Sequence, residues 1–410
     1  MAARADRLQF LAARGALVVA RPATLVIASR LLGMDAANEF AQALVAVGFG
    51  LIASAFDSGR LYYEAALDAV GPRGVAFHRY LGRAWIAGTV GAAATATILW
   101  NSGATAPSMA AAIAYFATER ITDERQRYLL VDRRTAEWSR MQLRRGALQV
   151  ASAAATLAAM GWAGGGSIAW LLVALAAANA VTMPALRGLR LGARAARSPA
   201  ALVRLSTQGA RTIGTNWALW ASGLMAATIG YGDRLMISLW DGPDTASLVV
   251  TCSCLGLQSV VVATFFFTPR RAAIVRSEVP MSAFASRAYL LPASAGLAAG
   301  AAFAAASLAG FVADARAPLM AIAAAAAASV ATTLAGIVRE VCYYRSSGAR
   351  LAGIDGCALA AACAGAIAAW WAGLPVSVGF AWLAAVQAVR AAALATAASH
   401  GRETATGPRR

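Results

Sequence analysis

The sequence predicts an all-α polytopic membrane protein, with about twelve transmembrane helices in two six-helix lobes. Three observations predict it. The 410-residue chain is 60% hydrophobic and only 13% charged, where a soluble domain carries about a quarter charged residues. It offers one apolar run after another, each near the roughly 20 residues that a bilayer-crossing helix needs. The loops between the runs alternate between arginine-free and arginine-rich. A β-barrel would instead show short alternating segments.

The runs fall, in order, at about 9–30, 38–57, 80–100, 107–128, 143–161, 167–187, 212–239, 245–267, 286–311, 317–338, 351–371 and 376–397. The first is broken by Arg14, Arg21 and Pro22 and ends at Arg30. It is longer than a signal peptide and reads as a retained helix. The turns "LLGMDAA", "NSGATA", "GWAGGGS", "DGPD" and "AGLPV" hold no arginine, and "VADARA" holds Arg316 alone. The alternate connections are basic. Residues 58–79 carry Arg60, Arg73 and Arg79, and 125–145 carry seven arginines, among them Arg125, Arg140 and Arg145. The 187–211 segment carries six; Arg270, Arg271 and Arg276, then Arg339, Arg345 and Arg350, then Arg402, Arg409 and Arg410 follow. Such alternation predicts an even number of spans with both ends in the cytoplasm.

The chain also reads as doubled. "LLGMDAANEFAQALVAV" at 31–47 resembles "LWDGPDTASLVVTCSCL" at 239–255. The expected organisation is a first lobe at 1–187, a basic cytoplasmic linker at 188–211, a second lobe at 212–398 and a tail at 399–410. Parallel halves of this kind are common in transporters, with the substrate site between them.

All 36 basic residues are arginine and the net charge is +17. The arginines cluster between apolar runs and not on one soluble face, so helix-end charge explains them better than nucleic-acid binding. The five cysteines lie in or beside apolar runs without metal-ligand spacing and read as small packing residues. No metal and no cofactor is expected.

Four motifs resemble the polysaccharide flippases of the multidrug/oligosaccharidyl-lipid/polysaccharide exporter superfamily. "ASRLLGMDAANEF" is similar to the family's first-helix exit, although Ala41 follows Phe40 where the family has Gly. "FDSGRLYYEAAL", with Asp57 and Gly59, resembles the exit of helix two. "GYGDRLMISLWDGPDTASL" resembles the exit of helix seven, and "FFFTPRRAAIVR", with Pro269, that of helix eight. The resemblance implies a V-shaped transporter of the bacterial inner membrane working by alternating access. It implies a cargo of undecaprenyl-pyrophosphate-linked oligosaccharide for O-antigen, capsule or exopolysaccharide, with other polysaccharide assembly proteins and membrane lipids as partners.

Arg14 and Arg21 are seven residues apart and fall within about 20° of one helix face. An arginine at the centre of a span costs at least ~2.5–3.5 kcal/mol on insertion scales. Lining a wet crevice, Arg21 would hold a diphosphate by two parallel hydrogen bonds. Arg14 has two readings, the same cradle or snorkelling to the inner surface. Arg30 is a substrate contact, an outer-interface anchor or one half of an ion pair. In helix seven, Thr212, Asn216, Trp220, Gly223, Ala227, Gly230 and Arg234 share one line; they contact sugar or pack closely against another helix. Asp233 carries a coupling proton or pairs statically with an arginine. In "ERITDERQRYLLVDRR", Glu119 and Arg120 line an inward cavity or begin a solvated helix extension. Asp57, Glu119, Arg120 and Asp233 form the coupling or gating set, driven by a proton or sodium gradient.

A cation-coupled multidrug exporter would want an acidic cavity, and helix one offers arginines without a carboxylate. A polysaccharide polymerase, ligase or membrane glycosyltransferase would want a long loop or nucleotide-sugar domain. The connections here are short, so the chain is not expected to be an enzyme. His78 and His400 have no paired nucleophile, and no phosphate-binding glycine loop appears.

Overall fold

The computed structural model describes residues 23–54, 73–131, 135–163, 166–182, 217–237, 239–240, 245–256, 319–343 and 346–404, with single positions at 207, 294 and 298. Among these residues the chain forms helices joined by short turns, with no strand. Contacts divide it into two compact units, Met1–Trp220 and Ala221–Arg410. The expected linker at 188–211 and the ninth run at 286–311 lie outside the described residues, apart from Thr207, Ser294 and Ala298.

The first unit holds α1 (Ala23–Leu32), α2 (Met34–Ala53), α3 (Arg73–Asn101), α4 (Ala106–Val131), α5 (Thr135–Trp162) and α6 (Ile168–Thr182). α7 (Trp217–Gly230) spans the division. The second unit continues with α8 (Gly232–Ile237), α9 (Thr245–Leu255), α10 (Leu319–Tyr343), α11 (Gly348–Trp371) and α12 (Val376–Thr404).

Among the described residues, three glycines make turns with a positive-φ backbone that a Cβ would penalise. Gly33 (φ 90°) separates α1 from α2, Gly103 (φ 74°) ends α3, and Gly373 (φ 66°) ends α11. At α3 the Gly103 N–H donates to Trp100 O (3.1 Å) and the Ala104 N–H to Leu99 O (3.0 Å). At α11, Gly373 and Leu374 repeat this on Trp370 O (3.0 Å) and Ala369 O (3.0 Å). Both pairs satisfy carbonyls that a helix end leaves orphaned.

In the first unit α4 packs on α6, α2 on α3, and α5 on α6. α2 and α3 approach most closely at Gly50 and Gly91. A Cβ on Gly50 would stand 2.6 Å from Gly91 O. Thr95 Oγ1 donates across the gap to Ala46 O (3.2 Å). Small residues of this kind let helix backbones meet without a polar surface between them. In the second unit α12 packs along both α10 and α11.

Among the described residues, four helices are long and apolar enough to cross a membrane: α2, α10, α11 and the Val376–Ala398 part of α12. At 1.5 Å per residue, 20 to 25 residues reach about 30–38 Å. Their outward faces are apolar too, with Val389 70% and Ile367 52% exposed. A helix apolar all round is built for lipid or for a core. α4 and α5, with 26 and 28 residues, have the length but carry charges such as Glu119, Arg120 and Arg145 within them.

Tryptophan marks several helix ends. Trp100, Trp162, Trp170 and Trp371 are 66–97% exposed, each at a helix end beside an arginine-free turn. Membrane helices place such amphipathic rings at the headgroup level.

Candidate functional site: two buried ionic centres

In the first unit, polar side chains from three helices converge among apolar neighbours. α4 supplies Thr118, Glu119 and Arg120, α5 supplies Arg145 and Gln149, and α6 supplies Asn179. Arg145 and Gln149 stand four apart, so one face of α5 carries both. Arg145 Nη2 is ion-paired with Glu119 Oε2. Its Nε donates to Asn179 Oδ1 (2.9 Å). Gln149 Nε2 donates to Asn179 Oδ1 (2.9 Å) and to Glu119 Oε1 (3.5 Å). Asn179 Nδ2 donates to Thr118 Oγ1 (3.4 Å). Glu119, Arg145, Gln149 and Asn179 are all buried. The centre pairs one carboxylate with one guanidinium, and amides complete the shell.

The second unit builds another centre from four helices: Ser222 on α7, Arg339 on α10, Asp355 on α11 and Arg390 on α12. Asp355 is fully enclosed, at 0% exposure. Its Oδ2 accepts from Ser222 Oγ (2.6 Å) and from Arg339 Nε (3.0 Å). Its Oδ1 accepts from Arg390 Nε (2.8 Å). Arg390 Nη2 also lies 2.7 Å from Oδ1, close enough for an ion pair but without hydrogen-bond geometry. Arg339 Nη2 donates to Ser222 Oγ (2.8 Å), so the serine relays between guanidinium and carboxylate. Arg390 Nη1 donates to Gln387 Oε1 (3.0 Å), and Gln387 Nε2 to Thr332 Oγ1 (3.1 Å). Here one carboxylate serves two guanidiniums. At an effective dielectric of about 20, each contact near 3 Å is worth roughly 5 kcal/mol before desolvation. Desolvation opposes that gain, and removing one partner of a buried pair costs about 3–5 kcal/mol.

The residues singled out from sequence fall into three groups. Arg14, Arg21, Asp57 and Asn216 lie outside the described residues. Arg30 is exposed at the end of α1. The others are tied into the fold. Glu119 and Arg120 are both buried, so neither belongs to a solvated extension. Arg120 Nη2 donates to Ser54 O (3.2 Å) and Trp220 Nε1 to Ala53 O (3.1 Å). The two thus meet at the carboxyl end of α2, where orphaned carbonyls and the helix dipole favour donors and cations. Arg234 does the same at α9: its Nη2 donates to Cys252 O (2.7 Å), and its guanidinium lies 5.5 Å from the Tyr231 ring centroid. Gly256 leaves room for it. Asp233 is buried and its Oδ1 accepts from the Arg234 N–H (2.9 Å). A turn at Tyr231 separates Arg234 from α7, so the straight line drawn from Thr212 to Arg234 is interrupted there.

Arg339 is placed differently from expectation: counted with a basic connection, it lies inside α10. Arg145, which falls both in the basic segment 125–145 and in the run 143–161, lies inside α5. α5 begins at Thr135 and α10 runs to Tyr343, so the helices extend past the apolar runs that mark them. Asp355, Arg390 and Asn179 were not singled out at all. A lone acid in one apolar run and a lone base in the next is the signal that would have found the first two. Among the described residues, no three His, Cys, Asp or Glu side chains cluster so as to hold a metal ion.

No protein-family model, curated protein or solved structure matches the chain.

Proposed function

We propose that the chain is a flippase that carries an undecaprenyl-pyrophosphate-linked oligosaccharide across the bacterial inner membrane for polysaccharide biosynthesis. The observation that carries this reading is arginine in the membrane-length apolar part of the chain. The first apolar run holds Arg14 and Arg21 with no carboxylate in the same run, whereas Arg390, within the span of α12, is answered by Asp355. A guanidinium costs ~2.5–3.5 kcal/mol at a helix centre, and an anionic cargo is what such a charge serves. The four membrane-length helices among the described residues, exposed tryptophans at helix ends and the four sequence motifs support the same reading.

In this reading twelve spans form two six-helix lobes in a V, with both termini cytoplasmic. Arg14 and Arg21 capture the pyrophosphate from the inner leaflet while the lipid tail stays in the bilayer. The lobes rock, the sugar crosses in a hydrated crevice, and a proton or sodium gradient sets direction. No bond is made or broken, so the protein is a carrier and not an enzyme. The rival reading, a cation-coupled multidrug exporter, calls for carboxylates open to a cationic drug. Glu119 and Asp355 both face arginines instead.

Comparing Arg21→Ala and Arg21→Lys for surface glycan at equal expression tests the proposal. Loss of glycan in Arg21→Ala with partial recovery in Arg21→Lys is expected. Normal glycan from both removes Arg21 from the mechanism.

A further inference from the structure

We propose that Arg339, backed by Arg390 and Ser222, forms a binding site in the second unit for one phosphate-class oxyanion. The charge count comes first. Arg339 and Arg390 share the single carboxylate of Asp355, which leaves one positive charge over. Asp355 and Arg339 are the charged groups that act on Arg390. Glu340 follows Arg339 on α10 but makes its contacts outside this trio. A surplus guanidinium among apolar helices is expensive unless something negative meets it.

The geometry says where the anion goes. Arg390 is sealed, with 2% of its side chain exposed, whereas the Arg339 side chain keeps 16% open. Arg339 spends Nε on Asp355 and one Nη2 hydrogen on Ser222. That leaves its Nη1 group and the second Nη2 hydrogen, the outer edge of the guanidinium, without a partner among the described residues. Two parallel N–H groups on a planar edge match an oxyanion better than a spherical ion.

Space is present beside that edge. Gly223 adjoins Ser222, and a Cβ built on it would meet Arg339 Nη2 at 3.9 Å and nothing else within 4 Å. A Cβ on Gly336, one turn before Arg339 on α10, would meet nothing within 4 Å. The guanidinium carbon also lies 5.9 Å from the Tyr343 ring centroid, within cation–π range. The anion is a free phosphate or the phosphate of a lipid headgroup, since the edge reads only the phosphoryl oxygens. The site does not rest on the transport reading: its residues are on α7, α10, α11 and α12, and Arg21 plays no part in it.

The test uses the full chain purified in detergent, with chloride exchanged for inorganic phosphate at constant ionic strength. Phosphate is expected to raise the unfolding temperature by about 2–4 °C at saturation, and the rise is expected to vanish in Arg339→Gln. Arg339→Lys, which keeps the charge and loses the fork, is expected to need roughly tenfold more phosphate. Gly223→Val fills the space while leaving the ion trio intact, and is expected to lose the rise as well. It keeps the proposal falsifiable if Arg339→Gln does not fold. An equal rise in the wild-type chain and in the variants reports general salt stabilisation and overturns the proposal, as does no rise at all. The same chain in nanodiscs of phosphatidylcholine, with or without phosphatidic acid, identifies the source. An Arg339-dependent rise with phosphatidic acid assigns a headgroup site; a rise with inorganic phosphate alone assigns a free-anion site.

Discussion

The two ionic centres occupy corresponding places in the two halves of the sequence, yet they balance their charges differently. Arg145 and Asp355 stand about 210 residues apart, as do Asn179 and Arg390, close to the spacing of the two outer-turn motifs. The helix pair α5 and α6 thus carries a base and an amide where α11 and α12 carry an acid and a base. The third member, Glu119 on α4 or Arg339 on α10, supplies the opposite sign to the middle helix. What is kept is a polar tie across three helices; which helix holds the carboxylate is exchanged. In apolar surroundings the constraint falls on the total, because an unpaired charge is penalised wherever it sits. The first centre meets that constraint at one to one. The second exceeds it by one guanidinium.

The largest expected effect breaks the second centre. Asp355→Asn removes the negative charge that two guanidiniums share and turns one of its two acceptor oxygens into a donor, and the loss of stability is expected at about 3–5 kcal/mol, read as a fall in unfolding temperature and in folded yield. Asp355→Asn combined with Arg390→Gln is expected to recover part of the loss. The remainder should stay, because Arg339 keeps its charge.

A smaller effect is expected at the first centre. Glu119→Gln keeps an amide oxygen for Arg145, and Asn179 Oδ1 still accepts from its Nε (2.9 Å). The loss is expected at about 2–3 kcal/mol. The double variant with Arg145→Gln should be milder than the sum of the singles by about 0.5–3 kcal/mol. If Glu119→Gln costs as much as Asp355→Asn, the contrast between balanced and surplus charge has no energetic content.

Much of the helical frame could be read from the apolar runs, because lipid-length helices announce themselves in composition. α11 and α12, predicted at 351–371 and 376–397, are found at Gly348–Trp371 and Val376–Thr404. Basic helix ends were harder. α5 was predicted from 143 and starts at Thr135, since arginine is a good helix former that lowers hydropathy without stopping the helix. The candidate site was legible only in fragments. Glu119 stood out as a charge entering before the inner surface, but its partners sit 26 and 30 residues away on another helix, a proximity that local spacing does not encode. Arg120, Trp220 and Arg234 stood out for their chemistry, and they donate to the final carbonyls of α2 and α9. Sequence flags a donor; only the fold says whether a ligand or a helix end receives it.

The smallest effect supplies the baseline for both centres. Arg125 Nη2 and Glu137 Oε1 are 3.0 Å apart, the same length as the Arg339–Asp355 contact, and join α4 to α5. Their side chains, however, are 30% and 28% exposed. Water and salt screen such a pair, and its worth falls to about 0.2–1 kcal/mol. Glu137→Gln is therefore expected to lower the unfolding temperature by no more than a degree or two, with the difference shrinking as salt is raised. The same length with different burial isolates what the interior adds. A Glu137→Gln shift as large as that of Asp355→Asn would mean that helix-hairpin closure, and not buried charge, dominates the stability of these units.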